Sequence, residues 1–315
     1  MTAAKQHLPN QIVHLVRRTV QRQFLLVNDA TGVNKNAAGY LYVLAASKHG
    51  QIPHAVTVMS NHLHMCQTDT TGMRSKFMQE FHGLYAKVIN ALRDRRDSVW
   101  SCSEPGNTWL LDTNEVAKTM LYIWMNPVKA GLVERVDQWD HFQILPKHWG
   151  KTICFKRPSY FRDGDPKKPE FIEMTALPPA PFAHIPLDEL IAYFEKRIAK
   201  EEERCMIERR KKKKKVKGME KCYLVNPKNT PKKTVAMFTR NPRFASTYPE
   251  RIVNAIEELK GFWRLYKRRL EDLKKGCREK WPAGALKLPS LIGVACLGLD
   301  KYPNLKIEYE PFLIS

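Results

Sequence analysis

The segment Met59-Ser60-Asn61-His62-Leu63-His64-Met65-Cys66, inside an extended run that begins near Pro53, constrains this chain more than any other. Successive side chains of a strand point to opposite faces, so His62 and His64 project together while Leu63 turns to the core. Two imidazoles side by side on a rigid strand are half of a divalent-metal site. Taken alone, the triplet also fits surface decoration or a satisfied pair of core histidines, because short motifs recur by chance.

The patterns on either side set the frame. Gln11 to Val20 reads as a first strand, with Ile12, His14, Val16 and Arg18 on one face and Val13, Leu15 and Arg17 on the other. Arg17, Arg18 and Arg22 make it basic, and Phe24-Leu25-Leu26 continues it. After the turn Asp29-Ala30-Thr31-Gly32, Asn34 caps a helix that runs to about His49. Pro53 to Met59 is a second strand, Ser60-Asn61 a break, and the histidine-bearing strand ends near Thr68. Phe77, Phe81, Leu84, Tyr85, Val88 and Leu92 recur at helical spacing between Arg74 and Arg93. A loop with a short strand, Thr108 to Leu111, leads to Asp112-Thr113-Asn114-Glu115, which opens a helix with a polar cap and an acid in its first turn. Pro127 ends that helix, because proline lacks the donor and restricts the residue before it. Strands and helices in this order predict an α+β domain, an antiparallel sheet covered by helices, over residues 1–145.

Residues 146–186 are rich in proline and glycine and read as a connector, with Leu177-Pro178-Pro179-Ala180-Pro181 as a stiff segment. Residues 187–315 form a basic, mainly helical region. One helix starts at Leu187 and ends in Arg209-Arg210-Lys211-Lys212-Lys213-Lys214-Lys215; another spans Glu250 to Leu273. The net charge of +21 over 315 residues is concentrated here: positions 195–280 carry 28 Lys and Arg against 12 Asp and Glu. Such an excess calls for a polyanion, nucleic acid ahead of an acidic membrane surface. No apolar run reaches the roughly 20 residues of a bilayer span, and Met1 to Asn10 hold no leader-like apolar segment. The seven cysteines never form a C-x-x-C pair and read as reduced thiols of a cytoplasmic protein.

A second cluster lies at Met120-Leu121-Tyr122-Ile123-Trp124-Met125-Asn126-Pro127. Tyr122 and Asn126, four residues apart, share a helix face. A tyrosine can attack a phosphodiester and form a covalent intermediate. A free phenol holds its proton to about pH 10, so it needs a polarised phosphate, a nearby base, or both. Asn126 offers a hard oxygen suited to Mg²⁺ or Mn²⁺ beside the imidazoles. The alternative is a core aromatic at Tyr122 and a helix-ending Asn126. Tyr85 is the fallback nucleophile and otherwise core. His14 and His54 read as structural, Glu80 as a solvated helix residue and Asp69 as part of a turn.

These residues carry a resemblance. His62-Leu63-His64 followed by a helical tyrosine resembles the single-tyrosine HUH transposases. Tyr122-Ile123-Trp124-Met125-Asn126-Pro127-Val128-Lys129-Ala130-Gly131-Leu132-Val133 is close to the signature of their REP-associated tyrosine transposase branch. Val58 to His64 is similar to that branch's strand motif, where proline often stands at the position of Ser60, and Phe77-Met78-Gln79, Tyr85 and Asn90 match its middle helix. The resemblance spans about residues 10–150. It implies a ferredoxin-like HUH fold, Mg²⁺ or Mn²⁺, and single-stranded DNA with hairpin-forming element ends as substrate. It implies attack by Tyr122 to give a 5′-phosphotyrosine and a free 3′-OH, with His62 and His64 holding the metal and Asn126 at the position of a third, amide-type ligand. A homodimer is compatible with it. For DNA contact the candidates are Arg17, Arg18, Arg22, Lys129, Arg209, Arg210, Lys211, Lys212 and Lys213, while Trp263 and Tyr266 fit helix packing. The basic half departs from the compact members of the family. Two other readings remain: a domesticated, non-catalytic nucleic-acid-binding protein that keeps the fold, and a metal-dependent phosphodiesterase using the histidine pair.

Overall fold

The computed structural model describes residues 4–162, 165–232, 242–285, 295–297 and 309–314. Of the basic region 187–315, the positions outside these ranges are therefore not described. The protein is α+β, with a six-stranded sheet, a separate two-stranded sheet and seven α-helices among the described residues.

The first six elements run β1 (Gln11–Arg18), α1 (Val33–Lys48), β2 (Gln51–Val58), β3 (His62–Asp69), α2 (Arg74–Leu92) and β4 (Gly106–Leu110). In the sheet, β3 and β1 lie at the centre, β2 beside β3 and β4 beside β1, all antiparallel to their neighbours. Two β-α-β units are thus interleaved, which places both crossover helices over one face. The edges are extended by β5 (Gln143–Ile144) beside β2 and by β8 (Phe244–Ala245), which runs parallel to β4. The N-H of Trp109 donates to the Arg243 carbonyl and that of Leu111 to the Ala245 carbonyl, so the C-terminal region covers the open edge of β4. A covered edge cannot template pairing with another chain.

Local chemistry explains the boundaries. Pro53 is accommodated where β2 has no neighbour on its outer side, because β5 pairs only with Val56 and Thr57. The extra residue of the adjoining bulge is His54, whose ring meets the Leu177 carbonyl and the Thr68 hydroxyl, as its structural reading requires. Asp69 is the end of β3 and not a turn residue. Its buried carboxylate accepts from the backbone N-H groups of Met73 and Arg74, starting α2, and pairs with the Arg74 guanidinium. Asn34 does not cap α1, which starts after the left-handed Gly32; its amide instead donates to the Leu26 and Val27 carbonyls and ties the β1–α1 loop to the helix. Glu80 is not simply solvated but pairs with Lys48 and His49.

α3 (Thr113–Trp124) begins as expected, with Asp112 accepting from the Glu115 N-H at 2.8 Å. It ends one turn before Pro127, and a separate turn, α4 (Asn126–Lys129), follows with Pro127 in its first turn. α3 packs on β2 and β3, with Trp124 fully buried against Trp149 and Phe194.

Residues 146–186 hold more order than a connector suggests. β6 (Thr152–Lys156) and β7 (Phe171–Thr175) pair antiparallel and lie on α1. There a Cβ on Gly39 would fall 2.1 Å from the Phe155 ring, so that close approach depends on glycine. α5 (Leu187–Lys211) buries Leu190, Phe194 and Ile198 in the main core. α6 (Met219–Tyr223) follows, and α7 (Pro249–Lys274) packs Leu259 and Phe262 with Trp281 in a smaller cluster. Trp263 and Tyr266 join that cluster, in line with their helix-packing spacing. Among the described residues, no helix is long and apolar enough to cross a membrane.

Candidate functional site

Register decides which side chains meet. In the β1–β3 ladder His62 lies opposite Arg18, His64 opposite Val16 and Cys66 opposite His14, so these six residues share one face. On β2, Thr57 is opposite His64. Leu63, Met65 and Gln67 point the other way, toward α1 and α2, where the Tyr42 hydroxyl donates to Gln67. α3 covers the histidine face and lays Tyr122 across it.

The rings form a tight group. His62 and His64 centroids are 4.9 Å apart, His64 and Tyr122 5.4 Å, and His14 and Tyr122 6.2 Å. His14 stacks on His64 with Nε2 3.0 Å from His64 Nδ1. The Nδ1 of His62 is 2.7 Å from Asn61 Oδ1. Each strand histidine thus has its Nδ1 engaged by a neighbour, which fixes ring orientation. Partners of this kind orient and tune metal-ligating histidines. The Asn126 side chain also hydrogen-bonds the His62 ring. Thr57 adds, on the same face, a buried hydroxyl with no partner among the described residues.

Burial is the main force on these imidazoles. It brings His62 down to about 4, helped by the Arg18 and Arg22 charges and opposed by the Asn126 hydrogen bond. His64 lies well below its ordinary value through burial, then His62, His14 and Arg18, while His14 falls to about 4 through burial alone. All three are neutral at pH 7, the form in which imidazole ligates metals. The donor chemistry therefore fits a divalent ion at His62, His64 and the Asn126 amide oxygen. Among the described residues, no group of three or more His, Cys, Asp or Glu side chains forms a metal cage by itself.

Tyr122 is 44% exposed, and its hydroxyl makes no hydrogen bond among the described residues. Tyr85 is the opposite case. It is fully buried, its hydroxyl donates to Asn34 Oδ1 at 2.9 Å, and burial raises its pKa far above the ordinary phenol value. It belongs to the core and is not a nucleophile.

The basic residues divide. Arg18 and Arg22 face the histidines, and the Arg22 carbonyl accepts from Asn61 Nδ2 at 3.0 Å. Arg17 lies on the other face and donates to the Ser103 carbonyl, so it does not join the site. Lys129 pairs with Glu201 at 3.9 Å. Arg209 donates to the Val128 carbonyl, which docks the basic end of α5 on the turn that carries Asn126. Arg210, Lys211, Lys212 and Lys213 continue outward and exposed, with Lys212 near Glu208.

Asn61 and Thr57 are neighbours of the site that the sequence reading did not single out, and His14, read there as structural, meets His64 directly. His14 shared its face with Arg18 in the alternation of β1, but only the ladder register puts that face on His64.

No family profile and no curated protein matches the chain. Among solved structures, the chain is similar to a REP-associated tyrosine transposase bound to a REP hairpin. The identity is 16% and the TM-score 0.38, over 46% of this chain and 82% of that one. This is a distant likeness of fold over less than half of the chain.

Proposed function

We propose that this protein is a metal-dependent single-strand DNA endonuclease and strand transferase of the HUH type, built on a ferredoxin-like sheet, with Tyr122 as nucleophile. The observation that carries the reading is an exposed tyrosine, free of hydrogen bonds among the described residues, set 5.4 Å from a neutral, oriented histidine pair on the same sheet face. A structural tyrosine would be buried and satisfied, as Tyr85 is.

Each residue has a task in that chemistry. His62, His64 and Asn126 would hold Mg²⁺ or Mn²⁺, which supplies charge neutralisation and alignment of the scissile phosphate. Tyr122 Oη attacks phosphorus, the bond to the 3′-oxygen breaks, and the phenolic proton ends on that oxygen as the new 3′-OH. The phosphodiester is conserved as a 5′-phosphotyrosine, so attack by another 3′-OH reverses the step and joins strands without an external energy source. His14 and Asn61 keep the two imidazoles in one orientation, and Arg18 and Arg22 add positive charge where phosphates approach. Positioning is the main contribution the protein makes, since the geometry is held before the substrate arrives.

The test is a denaturing gel of the protein with labelled single-stranded hairpin DNA and Mn²⁺, with Tyr122→Phe beside it. A protein–DNA band that forms with the native protein and vanishes in the variant is the expected result. Cleavage without such a band would replace this reading with a phosphodiesterase, and binding with neither would leave a non-catalytic nucleic-acid-binding protein.

A further inference from the structure

An open cleft of about 720 Å³ lies between the β1–α1 loop at Phe24 and the segment 217–232. Lys217, Lys221, Lys228 and Lys232 line it, together with Phe24 and Leu224, the latter 85% exposed. Among the described residues none of these four lysines forms an ion pair, whereas Lys212 and Lys260 in the same basic half are each near a glutamate. Four unpaired ammonium groups around one concavity repel each other, and an exposed leucine beside them meets water. Both features are relieved by a ligand that carries spaced negative charges and flat apolar faces.

The cleft is built, not a loose tail. Its floor is fixed by Lys217 N-H to the Gly131 carbonyl and Gly218 N-H to the Leu132 carbonyl, both 2.9 Å. Its other wall is held by Phe24 N-H to the Asn229 carbonyl at 2.9 Å. α6 between them buries Cys222, and Tyr223 donates to Asp140. Both walls also lead to the site. Gly131 and Leu132 directly follow α4 with Asn126. Phe24 is two residues beyond Arg22, whose carbonyl is bound by the Asn61 that orients His62. Gln21 and Arg22 hold φ of 48° and 60°, a left-handed conformation that non-glycine residues adopt only where the surroundings enforce it. That bend turns the chain from the His62 side into the cleft.

We infer that the cleft holds the single strand of DNA flanking the scissile phosphate, with the lysines on successive phosphates and bases against Phe24 and Leu224. This rests on the DNA-processing reading of the Tyr122 site. Electrostatic grooves with apolar stacking positions are how proteins take single strands without reading sequence.

The test uses the full chain carrying Tyr122→Phe, so that binding is measured without chemistry. Fluorescence anisotropy follows its affinity for a hairpin bearing 5′ or 3′ single-stranded tails of increasing length. The inference expects affinity to rise with one of the two tails up to about four nucleotides. Adding Lys221→Glu and Lys228→Glu should abolish that rise and lower the salt dependence, log Kd against log salt, by about 1.4 for two phosphate contacts. Phe24→Leu should reduce the rise about tenfold while the salt dependence holds. A tail-dependent rise of undiminished size in the double lysine variant overturns the inference, as does an equal loss for the tail-free hairpin. If the native protein forms no covalent adduct yet the tail effect survives, the nucleophile assignment falls and the cleft stands.

Discussion

The two faces of the central sheet are built from the same strands and differ in how their tyrosines and histidines are held. Toward α1 and α2, the tyrosine hydroxyls and the Asp69 carboxylate are paired: Tyr85 with Asn34, Tyr42 with Gln67, and Asp69 with Arg74 and two backbone N-H groups. Toward α3, Tyr122 is exposed, the buried Thr57 hydroxyl has no partner among the described residues, and His62 and His64 are held through Nδ1 by Asn61 and His14. Burying polar groups without partners costs free energy. The histidines divide in the same way. His54 and His141 are locked by protein partners through both ring nitrogens, while His62 and His64 are oriented through Nδ1 beside the exposed Tyr122.

This contrast predicts that the packed face governs stability and the open face governs chemistry. Arg74→Ala should do the most damage to the fold, because it strands the buried Asp69 carboxylate; about 3–5 kcal/mol is expected from urea denaturation. The fraction that remains folded should still form the DNA adduct.

Acid should come next. Burial holds His54 and His141 at about 4, below the value near 6.5 of an unfolded histidine. Between these values the unfolded chain binds more protons, so their stabilisation is complete above pH 6.5 and is lost as pH falls toward 4. Each contributes up to about 3 kcal/mol of that loss. The urea midpoint should therefore fall steadily from pH 7 to pH 4.5, and His141→Gln should flatten the slope.

His14→Ala sharpens the comparison on the open face. It removes the ring that orients His64, and the Mn²⁺ concentration needed for half-maximal adduct formation should rise roughly 10- to 100-fold. The smallest effect is expected for Tyr85→Phe, which loses one buried hydrogen bond: about 1 kcal/mol of stability and no change in adduct yield. A Tyr85→Phe protein that lost the adduct while folding normally would break the division between the faces.

The parts of the fold and site that were legible in the sequence are those set by local rules. The alternation in β3 placed His62 and His64 on one face, helical spacing placed α2 and α7, and Asp112 marked the start of α3. What was not legible depends on pairing between distant segments. His14 needed the β1–β3 register. Asn34 looked like a helix cap and became a tie between loop and helix, because its amide found two carbonyls in the loop before α1 while Gly32 took the cap position. β8 and the hairpin of β6 and β7 are too short or too exposed to show a period, and they exist through the partners they meet. Among the basic residues, the loud Arg209–Lys213 run divides into one docking arginine and exposed neighbours. The quieter lysines at 217, 221, 228 and 232 converge on a cleft only once α6 folds against Asp140.

The nucleophile is the claim on which most else depends, and peptide mass spectrometry of the trapped DNA adduct reads it directly. After nuclease and trypsin digestion, the residual nucleotide should reside on the peptide 119–129, at Tyr122. A nucleotide on the peptide 77–87, which carries Tyr85, or on any other tyrosine would contradict it.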